Sequence, residues 1–304
     1  MEPFKLHILG CGSALPTLRH FPTIQVVECR GKLYMVDCGE GAQIQMRRAR
    51  LSFNKVGHIF ISHLHGDHCF GLIGMLSTFG LMGRTATMHV YADEALGPLL
   101  GMQLDFFCRD LGYKVEFHPV DTTRQQVIFE DRSLSVESLP LQHRMPCCGF
   151  LFREKPGMPH IRRDMIDFYN IPLSQIANIK SGADYVQPDG TVIANSRLVT
   201  PAELPRAYAY VGDTRYLPQL ASRLHGVTTL YHEATYADDN ETMAEKYCHS
   251  TARQAAMVAR EAGVGKLLLG HYSSRYEDEN VLLQEAVSLF PHTQLTKELD
   301  VIDI

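Results

Sequence analysis

Short apolar runs recur along the chain, and each ends in a polar or glycine-rich turn. Leu6-His7-Ile8-Leu9 gives way to Gly10-Cys11-Gly12-Ser13, and Lys32-Leu33-Tyr34-Met35-Val36 to Asp37-Cys38-Gly39-Glu40-Gly41. Ile59-Phe60-Ile61 stops just before His63, and later runs stop at His143, Asp213 and His271. Brief apolar runs bounded by turn residues read as buried strands. Between them the apolar spacing predicts helices over Ala42 to Ala49, Leu72 to Met82, Ala92 to Leu104, Ser250 to Ala262 and Asn280 to Phe290. This alternation predicts an α/β fold whose sheets are covered by helices. One segment breaks the rhythm. Arg153 to Asn195 carries Pro156, Gly157, Pro159, Pro172, Pro188 and Gly190 with little strand periodicity. It reads as an insertion projecting from a single domain over residues 1–304, with a short helix near Ile161 to Tyr169.

The hexapeptide His63-Leu64-His65-Gly66-Asp67-His68 packs four potential metal ligands into six residues. Imidazole and carboxylate suit zinc and similar divalent ions. His63 and His65 are two apart, so an extended backbone points both the same way. Gly66 lets the chain turn before Asp67 and His68. One ion rarely takes four such ligands and keeps room for substrate; two neighbouring ions would share them. His143, Asp213 and His271 stand at the ends of apolar runs, where a rigid scaffold displays its chemistry. Taken singly, each reads as a capping Asp or a core His. With the hexapeptide they complete a two-ion count: His63, His65 and His143 for one ion, Asp67, His68 and His271 for the other, Asp213 between them.

Composition narrows the picture. A chain of 304 residues with 45% hydrophobic content can bury a large core. No apolar run reaches the roughly 18 residues that span a membrane, so a cytoplasmic location without membrane partners is the default expectation. Eight cysteines occur without a CxxC pair, which favours a reducing compartment over a disulfide scaffold. The net charge of −5 excludes a global basic field, so a nucleic-acid partner would need a local patch. His7, His58, His89, His225 and His292 read as structural or surface histidines.

Several further motifs surround the hexapeptide. Asp37-Cys38-Gly39-Glu40-Gly41, His68-Cys69-Phe70-Gly71-Leu72, Gly212-Asp213-Thr214, His232-Glu233-Ala234-Thr235, His249-Ser250-Thr251 and His271-Tyr272-Ser273-Ser274-Arg275-Tyr276 are all present. With them the chain resembles metallo-β-lactamase-fold hydrolases, and within that superfamily the ribonuclease Z family of tRNA 3′-processing endonucleases. The likeness runs from about residue 4 to about residue 290. HxHxDH alone specifies the superfamily; the HEAT, HST and HYSSRY elements point to the tRNA-processing branch.

The resemblance implies a four-layer αββα sandwich with the metals at one edge of the sheets. It implies an endoribonuclease with two Zn2+ per subunit (Mn2+ or another divalent ion being an alternative), acting on precursor tRNA as a homodimer. It also assigns roles. Asp67 would orient the attacking water and accept its proton, His249 would serve the leaving 3′-oxygen, and Glu233 would orient His249. The insertion over residues 153–195 stands where the family carries a flexible arm that grips tRNA, and Lys155-Pro156-Gly157-Met158-Pro159 resembles that arm's Gly-x-Pro element. One loop departs: the family's Pro-x-x-Arg-Asn reads Pro16-Thr17-Leu18-Arg19-His20 here. The alternative function on the same fold is a small-molecule phosphodiesterase or other hydrolase; the alternative of another class is a non-catalytic RNA-binding protein.

Overall fold

The structure is a computed structural model and describes residues 3–304. The apolar runs become strands because successive side chains enter two different buried clusters. In Lys32–Val36, Tyr34 and Val36 join one cluster, while Leu33 and Met35 join the other. Phe60 and Ile59 divide the same way at the end of Val56–Phe60.

Two seven-stranded sheets result among the described residues. The first runs Val301–Asp303, Phe4–Gly10, Ile24–Cys29, Lys32–Val36, Val56–Phe60, Met88–Ala92, Val115–Pro119. The second runs Thr293–Leu295, Lys266–Gly270, Thr229–Glu233, Ala207–Val211, Cys148–Glu154, Leu134–Pro140, Gln126–Glu130. Phe60, Phe150, Phe152, Tyr208 and Tyr210 fill the space between the sheets. Helices Ala42–Arg48, Leu72–Leu81 and Leu96–Phe107 cover the outer face of the first sheet. Ala252–Ala262 and Asn280–Val287 cover the second. This is the expected αββα sandwich. No helix among the described residues is long and apolar enough to cross a membrane.

Lys32–Val36, Val56–Phe60, Met88–Ala92 and Val115–Pro119 are mutually parallel, and so are Ala207–Val211, Thr229–Glu233 and Lys266–Gly270. Their carboxyl ends therefore line up, and the loops that follow them can converge. The helix Ala252–Ala262 starts at a capping box: Thr251 accepts from the Gln254 backbone, and Gln254 reaches back to the Thr251 N–H. One expected helix begins late. Ala92 closes a strand instead of opening a helix, because it pairs with Pro119 and its carbonyl accepts from Val120. The helix starts at Leu96 and reaches Phe107.

Glu154–Pro205 forms a compact unit of its own. Ile171, Ile179, Tyr185, Ile193 and Leu198 make its core, and Arg163–Tyr169 and Leu173–Lys180 are its longer helices. The unit continues past Asn195 because Leu198 fills that core and Val199–Thr200 pairs with His160–Ile161.

Two glycines let backbone segments approach closer than a Cβ permits. A Cβ on Gly39 would lie 2.4 Å from the Asp67 carbonyl, and one on Gly71 would lie 2.1 Å from the Gly39 carbonyl. Backbone bonds from Cys38 N to His68 O and from Gly71 N to Cys38 O, both 2.8 Å, hold this junction together. Gly71→Ala should therefore cost about 1–3 kcal/mol through overpacking. Thermal unfolding would report it as a Tm lower by roughly 2–4 °C per kcal/mol; an unchanged Tm would show that the junction yields freely.

Candidate metal centre

The seven residues expected to hold metal come together at the carboxyl edge of the two sheets. His63 follows the strand Val56–Phe60, and Asp67 and His68 lie on the single helical turn Gly66–Cys69. His143, Asp213 and His271 each follow a strand of the second sheet. His63 Nε2 lies 3.0 Å from His65 Nδ1, which lies 3.2 Å from His143 Nε2. Asp213 Oδ2 is 3.6 Å from His63 Nε2 and 3.8 Å from His143 Nε2. On its other side Asp213 Oδ1 is 3.5 Å from His68 Nε2 and 3.0 Å from His271 Nε2. Asp67 Oδ2 is 3.4 Å from both of those nitrogens. Donors about 2.0–2.2 Å from one tetrahedral ion lie roughly 3.3–3.5 Å from each other. The two sets fit that spacing, and they share Asp213 through its separate oxygens.

Hydrogen bonds behind the imidazoles fix which nitrogen faces the centre. His68 Nδ1 donates to Asp37 Oδ2 at 2.7 Å, and His143 Nδ1 donates to the Cys248 carbonyl at 2.9 Å. His271 Nδ1 donates to Thr235 Oγ1 at 2.8 Å, and Thr235 in turn donates to Glu233 Oε2. Ser62 Oγ donates to Asp37 and accepts from His63 Nδ1. Each of these four rings thus turns an Nε2 lone pair inward, while the carboxylate behind His68 raises its strength as a donor. His68 Nε2 and Asp213 Oδ1 are buried and make no hydrogen bond. Buried polar atoms without a hydrogen-bonding partner are costly, and a cation between these two fits them.

Charges in the cluster respond to burial and to each other. Burial would raise the Asp213 carboxyl, but His271 and His68 beside it hold it well below the usual range. Burial would likewise raise Asp67, and His68 and His271 hold it down. Burial, then His68, pushes His63 well below an ordinary histidine. Burial would lower His68, but the Asp67, Asp37 and Asp213 carboxylates raise it well above an ordinary histidine, so a divalent ion bound there would take the place of its proton.

His249 stands beside this set. Its ring stacks on His271 with centroids 5.4 Å apart and tilts over His143 at 4.9 Å. Its Nδ1 donates to Glu233 Oε1 at 2.9 Å. Glu233 is fully buried, and Thr214 N donates to the same oxygen at 2.8 Å. Burial would lower the His249 pKa; the Glu233 carboxylate overrides it and raises it to about 9. A cleft of about 490 Å³ opens at His249, and one of about 1100 Å³ opens at His143.

Backbone strain at the centre has no counterpart in the sequence pattern. Asp37, Cys248 and His271 all have positive φ, at 56°, 58° and 59°. Such strain gathers at functional sites. Gly66 serves differently from expectation. It keeps an ordinary φ, and a Cβ there would strike the Phe70 ring at 2.4 Å. Arg19 and His20, in the loop that departs from the family pattern, bind inside the protein. Arg19 donates to the carbonyls of Tyr276 and Glu277, and His20 pairs with Glu279 and Glu298 at 3.1 Å each. Hydrogen bonding to Glu298 raises the His20 pKa.

Asp37→Asn removes the carboxylate behind His68 while keeping its size. Zinc affinity, read by chelator competition, should fall about 10–100-fold; unchanged affinity would show that His68 is held without Asp37.

Comparison with known proteins places this geometry. Residues 4–156 match the family model described as Anti-Pycsar protein Apyc1. Proteins named Ribonuclease Z are similar along the whole chain. That of Bacteroides fragilis is 57% identical over 298 residues, covering 98% of each chain. That of Porphyromonas gingivalis is 49% identical over 304 residues, all of both chains. Among solved structures, human tRNase Z, short form, has a TM-score of 0.71 at 24% identity, covering 99% of each chain. The metallo-beta-lactamase fold protein YhfI from Bacillus subtilis has a TM-score of 0.70 at 17% identity, covering 100% of each. At these identities the structures carry the fold alone. The half-chain match stops before Asp213, Glu233, His249 and His271, whereas the sequence relatives span nearly everything, and by them the chain belongs to the ribonuclease Z family.

Proposed function

We propose that this protein is a zinc-dependent endoribonuclease that removes 3′ trailers from tRNA precursors and leaves a 3′-hydroxyl on the tRNA. The observation that carries the reading is the pair of donor sets sharing Asp213, with the His249–Glu233 pair stacked against them. Family membership adds the reaction class, metal-dependent phosphodiester hydrolysis.

In this reading His63, His65 and His143 would hold one divalent ion and Asp67, His68 and His271 the other, with Asp213 within reach of both. Two such ions, when bound, activate water and stabilise charge on the phosphate oxygens. The imidazole majority favours zinc, although a carboxylate-bridged pair also accepts manganese. Asp67 orients the attacking water and takes its proton; its depressed pKa keeps it ionised and free to accept. His249 gives a proton from Nε2 to the leaving 3′-oxygen as the bond from phosphorus to that oxygen breaks. With its pKa near 9 it carries that proton at neutral pH. Glu233 holds it in place and keeps it charged. The products are a tRNA ending in a free 3′-hydroxyl and a trailer bearing the 5′-phosphate.

The insertion over residues 153–195 is the candidate tRNA-gripping arm. Arg153, Lys155, Arg162, Arg163 and Lys180 are matched there by Glu154, Asp164, Asp167, Asp184 and Asp189. Its contribution to binding is therefore short-range, with modest salt dependence. A homodimer is supported by the exposed apolar side chains of Leu99, Met102, Phe106 and Phe107 along one helix. Exposed apolar patches of this kind mark interaction surfaces, and a monomer by light scattering at working concentration would count against the dimer. A soluble enzyme acting on tRNA also fits the cytoplasm.

Asp67→Ala should abolish cleavage of a tRNA precursor with a 3′ trailer; turnover near wild type would sink the mechanism. Deleting residues 153–195 should weaken precursor cleavage and spare bis(p-nitrophenyl) phosphate. Equal loss of both would make the segment structural, and equal retention of both would remove it from tRNA binding.

A further inference from the structure

A second group of metal-type donors lies away from the strand-end loops, within the first sheet itself. His89 sits in the strand Met88–Ala92, and Glu116 and His118 sit in Val115–Pro119, the edge strand. The two strands are parallel, with His89 opposite Glu116 and Tyr91 opposite His118. Residues two apart on a strand share a face, so Glu116 and His118 project on the same side as His89. One donor atom from each of the three lies within 4.8 Å of the others.

The two imidazoles are aimed at each other. His89 Nδ1 and His118 Nε2 are 2.9 Å apart, and among the described residues neither ring makes another hydrogen bond. Two nitrogens at about 2.0–2.1 Å from one ion are about 2.9 Å apart at a right angle and about 3.3 Å apart at the tetrahedral angle. The spacing thus suits a chelating pair, formed when the proton between the rings is released and both nitrogens turn toward one ion.

Aromatic packing holds both rings in that attitude. The His118 ring stacks on Tyr91 at 4.5 Å with an interplanar angle of 12°. The His89 ring stacks on His58 at 4.9 Å and 13°. His58 adds no opposing charge at neutral pH: burial, then the neighbouring His89, pushes it down to about 4. Lys114 lies 3.4 Å from Glu116 Oε2 and would give up that carboxylate to the ion, and Arg84 also acts on His89. All three donors are half-buried, so the site is both formed and open to solvent.

We infer that His89, Glu116 and His118 form a further divalent-metal site on the edge strand of the first sheet, separate from the seven-residue centre. Two imidazoles and one carboxylate select a borderline ion of the zinc class over magnesium or calcium. Three protein donors leave a position for water. The ion ties the edge strand to its neighbour, since its ligands come from both.

The test is equilibrium dialysis of the full chain against buffered Zn2+, with bound zinc per chain measured by atomic emission. His89→Gln/His118→Gln should bind one ion per chain fewer than wild type, with precursor cleavage unchanged. Equal zinc in both overturns the site and leaves a plain imidazole–imidazole hydrogen bond. Glu116→Gln keeps both rings in place and guards against misfolding of the double variant. It should weaken the extra zinc by more than the roughly 10–100-fold that loss of an outer partner costs. Unchanged affinity there removes Glu116 from the set and overturns the three-donor site.

Discussion

The buried carboxylate of Asp37 is the group on which the rest of the site depends. It accepts from Ser62 N at 2.7 Å, Ser62 Oγ at 2.9 Å, His68 Nδ1 at 2.7 Å and Tyr210 OH at 2.5 Å. These donors come from the end of one strand, from the metal loop and from the facing sheet. A charge with no solvent exposure is tolerated only when it is fully bonded. The carboxylate therefore fixes three things together: the distance between the sheets, the path of the hexapeptide loop and the tautomer of His68. Tyr210 is held to the same bargain from the other side, because burial, then Asp37, drives its phenol to remain protonated and donate. Packing and chemistry meet in this one group.

A second buried carboxylate, Glu233, organises the other half. Oε1 takes His249 and the Thr214 amide, and Oε2 takes the Thr235 hydroxyl. Through Thr235 it also orients His271. One carboxylate thus controls an inward-facing donor and the neighbouring charged imidazole, and it does so differently. The route to His271 passes through a neutral hydroxyl, which fixes a tautomer without adding charge. The direct bond to His249 stabilises the cation. Two histidines whose centroids are 5.4 Å apart are in this way held by one carboxylate through different routes.

Much of this was legible in the sequence. The hexapeptide and the polar residues closing apolar runs identified every member of the two donor sets, because parallel strands deliver their carboxyl ends to one edge. Helix-covered sheets followed from the alternation of short apolar runs with helical spacing, and the αββα layering from the family resemblance. Other features depend on pairings that no local pattern encodes. Ala92 looked helical until its bonds to the edge strand were known. Positive φ at Asp37, Cys248 and His271 appears only where distant segments fix those residues. The compact unit beyond Arg153 has a core of five scattered residues, with no periodicity to announce it. His118 carries no local signal, since its partner His89 is 29 residues away and meets it only through strand pairing.

The family model matches residues 4–156, while the ribonuclease Z relatives run along nearly the whole chain, and the donors divide across the same point. The first half supplies His63, His65, Asp67, His68 and His143. These suffice to start two donor sets and to complete neither, because Asp213 and His271 belong to the second half. Asp213 is the single contact common to both sets, and its loop follows a strand whose register is fixed by Cys148–Glu154 and Thr229–Glu233. Glu233 closes that neighbouring strand, one register step from His232 opposite Val211. Moving either strand would therefore shift the bridge between the donor sets and the partner of His249 together. The first half supplies most of the two donor sets; the paired strands of the second half couple them to the His249–Glu233 pair.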